Sequence, residues 1–370
     1  MPNVQDIINM METWAPLPLA ESWDNPGLMV GRRDQEVTGI LTTLDVTLEA
    51  IDYAVQEGAN LIISHHPFIF KGIKQLDLAS PQGRMIEKAI KHDIAIYSAH
   101  TNLDIAQGGL NDMLAARLGL VDVTGFVKTS TAKNYKLVTY APVENADDIR
   151  QALGEAGAGF IGNYSHCSFS AHGEGRFQPE EGANPYLGQE GTLEMVREVR
   201  IETIVPEALL SSVVKAMKEA HPYEEVAYDV FELVEPVAAH TLGRMGRLPK
   251  AMTLAELTKH VEAALPKARL RLAGAKPEGA VERMALCSGG GADFIGQAKA
   301  KGAQVYLTGD VKYHDAQRAK ELGLLVIDAG HFGTEEIVAE GLKDKLSAML
   351  AEESWSIPVI ANDKQNDFFF

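Results

Sequence analysis

Leu61-Ile62-Ile63-Ser64-His65-His66-Pro67 is a short apolar run that stops on two adjacent imidazoles and a proline. It reads as a buried strand bounded by a turn. The pattern recurs twice. Ile94-Ala95-Ile96-Tyr97 leads into Ala99-His100-Thr101-Asn102-Leu103-Asp104. Leu324-Leu325-Val326-Ile327 leads through Asp328-Ala329-Gly330 to His331 and Glu335. Three buried-strand patterns thus end in residues of the metal-ligating type. In an open α/β sheet the carboxyl ends of the strands are where ligands and metals sit.

Outward from these runs, strands alternate with helices. Residues 39–46 read as a strand, 48–56 as a helix, 61–63 as a strand, 84–91 as a helix, 94–97 as a strand and 110–118 as a helix closed by Gly119. Such alternation predicts a mainly parallel sheet. The C-terminal part repeats the order, with strands at 284–287, 304–307 and 324–327 and a long helix over 335–350. The two halves are expected to form one pseudo-symmetric α/β metal-binding domain. The middle differs: a strand at 135–140, a helix at 146–156, a Gly-rich hairpin region, a strand at 196–205, a helix at 207–220 and a strand at 226–233. That order predicts a ferredoxin-like α+β module. Its termini would lie on adjacent strands, so it can be inserted into a loop of another domain. The expected division is 1–129 and 235–370 for the metal-binding domain and 130–234 for the insert.

Composition narrows the function classes. The chain has 370 residues, 46% of them hydrophobic and 23% charged, within the range of ordinary globular domains. No window approaches the roughly 18–20 uncharged apolar residues of a membrane span. The opening Met1-Pro2-Asn3-Val4-Gln5-Asp6 has no basic region followed by an apolar one, so no signal peptide is expected. The two cysteines, Cys167 and Cys287, are far apart, which fits a reducing cytoplasm. A net charge of −17 argues against a general nucleic-acid surface. One small anionic ligand held locally by metal ions remains compatible with it.

A single buried histidine is commonly a core residue; here the joint pattern is the signal. His65 and His66 at a strand end before Pro67 can converge. His331 and Glu335 would share a helical face, and Asp104 adds a hard oxygen. Three imidazoles and two carboxylates exceed the needs of one tetrahedral ion and suit two ions roughly 3.5–4 Å apart, with Glu335 as the bridge. The spacing alone leaves one ion or two open. The mixed nitrogen and oxygen set accepts zinc, manganese, iron or cobalt, zinc being the ion expected in a crystal. Asp24, Asp45 and Asp310 are candidate supports for these ligands or simple turn residues. Ser288-Gly289-Gly290-Gly291 reads as a tight strand-to-helix turn, with phosphate binding as the alternative.

Taken together, Ser64-His65-His66-Pro67, the His100–Asp104 segment, Gly309-Asp310-Val311-Lys312-Tyr313-His314 and Asp328-Ala329-Gly330-His331-Phe332-Gly333-Thr334-Glu335 resemble the GTP cyclohydrolase 1 type 2 homolog family, the Nif3-like dinuclear metal-centre proteins. Trp23-Asp24-Asn25-Pro26-Gly27-Leu28 resembles the family's N-terminal motif. His221-Pro222-Tyr223-Glu224-Glu225-Val226-Ala227-Tyr228-Asp229 is similar to the signature of an inserted PII/CutA-like module in the longer bacterial members. The resemblance implies metal ligation by His65, His66, Asp104, His331 and Glu335, a toroidal homohexamer, and hydrolysis of a nucleotide-like substrate.

The expected chemistry is attack by metal-activated water on the guanine imidazole ring of GTP, releasing formate. A metal-dependent phosphoesterase and a non-catalytic regulatory metal-binding assembly are the alternatives. His314 is the first candidate for the general acid and His100 the second.

Overall fold

The computed structural model describes residues 1–234 and 238–369. They fall into two compact units, Met1–Ser130 with His240–Phe370, and Thr131–Ala239. The expected boundary at residue 235 and the last residue of the Phe368–Phe370 tail lie outside the described residues.

The first unit contains two sheets. One has the strand order Gly27–Val30, Ala95–Ser98, Leu61–Ser64, Ile40–Thr43, Val359–Ala361. The Ala95–Ser98, Leu61–Ser64 and Ile40–Thr43 strands run parallel, with Leu61 opposite Ala95 and Thr43 opposite Ser64. All residues of these three strands are buried, as covered parallel strands require. The period-2 alternation divides them between two cores. Ile63 and Tyr97 enter one apolar cluster, and Ile62 and Ile96 enter another on the opposite face. The flanking helices start where the sequence supplies caps. Val4–Trp14 opens with a capping box of Asn3 and Asp6. Leu48–Glu57 opens on Thr47 and closes at Gly58, whose φ of 71° is left-handed.

The other sheet has the order Arg271–Gly274, Leu325–Asp328, Val305–Thr308, Val281–Leu286, Ala238–Met252, Val121–Ala132. Val281–Leu286, Val305–Thr308 and Leu325–Asp328 are parallel, with Arg271–Gly274 antiparallel on the edge. The first sheet repeats this arrangement: three parallel strands, the last of which pairs with an antiparallel strand that precedes them in sequence, Gly27–Val30. The expected pseudo-symmetry is visible in this shared order. Leu307 and Ile327 join Ile63 and Tyr97 in one apolar core, so the two sheets are packed together.

The expected helix over 335–350 is two helices, His331–Glu335 and Val338–Glu352. Glu336 and Ile337 keep right-handed dihedrals at the join, so the axis is interrupted without a reversal of the chain.

The second unit has strands Asn134–Pro142, Ser168–Phe177, Glu194–Pro206 and Tyr228–Glu232, with helices Ala146–Glu155 and Leu210–Ala220. Ser168–Phe177, Glu194–Pro206, Asn134–Pro142 and Tyr228–Glu232 lie side by side in that order, all antiparallel. This is the βαββαβ order of a ferredoxin-like sheet. Among the described residues no helix is long and apolar enough to cross a membrane.

Candidate metal centre

The carboxyl ends of the parallel strands in both sheets meet at one cluster. Leu61–Ser64 delivers His65 and His66, and Leu325–Asp328 delivers His331 and Glu335 through a short helix. Ala95–Ser98 delivers His100 and Asp104, the latter on the helix Thr101–Ile105.

Each imidazole is held from behind. His66 Nδ1 lies 2.7 Å from Asp45 Oδ1, His331 Nδ1 2.8 Å from Asp310 Oδ2, and His100 Nδ1 2.8 Å from Asp24 Oδ1. His65 Nδ1 lies 2.9 Å from the Ala99 carbonyl oxygen, which only accepts, so that nitrogen carries the proton. The opposite nitrogens face inward. His66 Nε2 is 2.9 Å and His331 Nε2 is 3.1 Å from Glu335 Oε2, and the two nitrogens are 3.3 Å apart. His65 Nε2 is 3.7 Å from Asp104 Oδ1 and 3.9 Å from Glu335 Oε1. It is also fully buried and, among the described residues, without a hydrogen-bond partner. A lone pair stranded in that way, between two carboxylates, fits a cation.

Two overlapping groups place their donor atoms close enough to share an ion: His65 with His66 and His100, and His66 with His331 and Glu335. Asp104 belongs to neither group; its carboxylate reaches His65 and accepts from Ser288 Oγ at 3.3 Å. His100 stands nearer than a general acid alone needs, its ring centroid 5.2 Å from that of His65 and 5.7 Å from that of His66. His314 is exposed, and its Nδ1 meets Gln317 Oε1 on its own helix at 3.3 Å. None of the hydrogen bonds that tie the cluster together includes it.

The electrostatics follow from burial and pairing. Burial drives His65 down to about 3, against the pull of Glu335, so it stays neutral. Burial also opposes charge on His66, but its hydrogen bonds to Asp45 and Glu335 raise it to about 10. His331 is raised to about 9 in the same way, burial being outweighed by Glu335 and Asp310. Burial and the neighbouring Glu335 charge raise Asp104 to about 7. Glu335 is itself buried, yet His331 and His66 hold it well below the usual carboxylate range.

Several residues of the centre carry no metal-type signal in the sequence. Asn111 donates to the Asp104 carbonyl at 3.1 Å and accepts from Ser288 N at 2.9 Å. Gln365 donates to Asp45 Oδ2 at 2.8 Å, so the C-terminal segment fixes the carboxylate behind His66. The Ser288–Gly291 segment is a tight turn. Gly289 has φ +58°, and a Cβ there would collide with Glu335 Oε1. The N–H groups of Gly289 and Gly291 are spent on Thr334 and Thr308, each at 2.9 Å. His166, Cys167 and His172 contribute to neither candidate metal group.

A two-sheet α/β unit whose strand ends pool imidazoles and carboxylates from both halves of the chain brings together groups that could hold a metal ion. The chain belongs to the Duf34/NIF3 (NGG1p interacting factor 3) family, which it matches over residues 2–367. It is 44% identical over 367 residues to the GTP cyclohydrolase 1 type 2 homolog of Halalkalibacterium halodurans, covering 99% of this chain and 98% of that one. It is 42% identical to the Bacillus subtilis protein of the same name, with the same coverage. Among solved structures it is similar to the Bacillus cereus protein related to NIF3, with a TM-score of 0.88 and 43% identity, covering 100% of this chain and 99% of that one.

Proposed function

We propose that the protein is a metal-dependent hydrolase of a nucleotide-like substrate, with imidazole ring opening of GTP and formate release as the named reaction. His65, His66, Asp104, His331 and Glu335 would hold two divalent ions, drawn from zinc, manganese, iron and cobalt. The observation that carries this reading is the buried, unpartnered Nε2 of His65 between Asp104 and Glu335. Leaving such an atom unsatisfied costs about 1–3 kcal/mol, which a bound cation would recover. The name of the curated relatives supports the choice of substrate.

A bound pair of divalent ions supplies Lewis acidity and lowers the pKa of water toward neutrality. The chain's own groups do the rest. Glu335 faces His65 with one oxygen and both His66 and His331 with the other, which is the disposition of a bridge. Asp45, Asp310 and the Ala99 carbonyl fix ring orientation through Nδ1 and leave Nε2 directed inward. His100, braced by Asp24, is the better placed of the two expected proton donors to protonate a leaving nitrogen.

The test is turnover by metal-loaded protein on GTP, other nucleotides and phosphodiesters. Formate release that disappears in Glu335→Gln supports ring opening. Phosphate release alone favours the phosphoesterase, and no metal-dependent turnover on any substrate favours the regulatory assembly. Mass in solution reads the homohexamer that we propose alongside.

A further inference from the structure

The second unit contains a cavity of about 660 Å³, within the range of small-molecule sites. Its floor is the sheet face turned away from the helices. In the strand Glu194–Pro206, Val199 and Ile201 enter the unit's core, so Glu198 and Arg200 project from the other face and line the cavity. A loop beyond Phe177 forms part of the wall. Gly191 N bonds to Pro179 O at 2.8 Å, and Asn184 N to Glu224 Oε1 at 2.7 Å.

Two features define what the cavity would accept. One is aromatic: the Tyr223 ring lies 5.9 Å from Phe177 and 6.3 Å from Tyr186, centroid to centroid. The other is a carboxylate. Glu198 is only 8% exposed, and Tyr223 Oη donates to its Oε1 at 2.9 Å. Its Oε2 has no hydrogen-bond partner among the described residues. Gly175 leaves room for that oxygen, since a Cβ there would collide with it. Among the described residues no basic side chain pairs with Glu198. Arg200 is spent on Glu202 at 3.0 Å, and Arg176 on Glu174 at 3.4 Å.

The free oxygen of Glu198 turns an unpaired negative charge to the cavity, and aromatic faces attract cations most strongly where water is excluded. We propose that this cavity is a binding site for a small organic ammonium ion, held by the Glu198 carboxylate and the rings of Phe177, Tyr186 and Tyr223. A neutral heterocycle could satisfy the free oxygen but not the charge. The site lies wholly within the second unit and uses none of the metal-centre residues, so it stands or falls independently of the proposed hydrolase.

The test is calorimetric titration of the full chain with tetramethylammonium and butylammonium chlorides at matched ionic strength, with guanosine as the neutral probe. Saturable binding of an ammonium salt is expected, weakened about tenfold or more by Glu198→Gln and several-fold by Tyr186→Ala. The zinc stoichiometry of both variants should match that of the parent. Should Glu198→Gln fail to fold, the rim residue Tyr186 decides the matter alone. The proposal is overturned if neither salt binds saturably, if both variants bind as the parent does, or if guanosine binds where the ammonium ions do not.

Discussion

The imidazoles of the centre divide their two nitrogens between different tasks. Asp45 and Asp310 make no contact with the position between the imidazoles, yet they set the rotation of His66 and His331. Asp45→Ala should therefore weaken zinc binding by about 10–100-fold while the protein stays folded. A competition titration against a chromophoric chelator reads this, and parental affinity would refute the orienting role of Asp45. Protonation gives a second test. His66 and His331 lie at about 10 and about 9 in the folded chain, above the ordinary 6.5. At neutral pH the metal-free protein therefore holds protons on both rings, sharing them with Glu335. An ion needs the neutral Nε2, so uptake must expel protons, and apparent affinity should rise with pH until it passes about 9 to 10, where the rings lose their protons unaided. Titrations in two buffers of different ionisation enthalpy would show different heats; equal heats and a flat affinity profile would contradict protonated rings at His66 and His331.

At the level of strands and turns, the Ser288–Gly291 turn is as much a part of the candidate centre as the imidazoles and carboxylates are. Gly289→Ala places a methyl against Glu335 on a left-handed backbone. It should lower stability by about 1–3 kcal/mol and reduce zinc stoichiometry, read by urea unfolding and metal analysis. A variant that carries the parental zinc load would show that Glu335 has room to shift. This part of the site was only half legible in sequence. The strands Leu61–Ser64, Ala95–Ser98 and Leu325–Asp328 were readable because every residue in them is buried. The candidate ligands stood out because several buried strands that all end on His or Asp seldom do so for packing alone. The long strands Val121–Ala132 and Ala238–Met252 were not. Val121 and Val123 are 44% and 37% exposed, and Gly125, Gly243, Arg244 and Gly246 break the alternation that marks a strand. Asn111 and Gln365 act through contacts between distant segments, and neither spacing nor residue type announces such contacts.

The division of the whole chain makes a further prediction. The first unit resumes at His240, and Thr129 Oγ1 donates to the His240 carbonyl at 3.1 Å, so the two ends of the interruption are adjacent. Replacing residues 131–239 with a short Gly-Ser loop should leave zinc stoichiometry unchanged, because all the candidate ligands lie in the first unit. Loss of metal together with a cooperative melt would show instead that the second unit helps to build the centre. The order of the ligands along the chain also constrains biosynthesis. His66 and Glu335 are 269 positions apart. A polypeptide still growing on the ribosome displays the first imidazoles long before the carboxylate that joins them exists. In the proposed centre ion capture would thus be a finishing step, and a nascent chain arrested short of His331 would leave that pair of histidines free to scavenge whichever ion is most abundant.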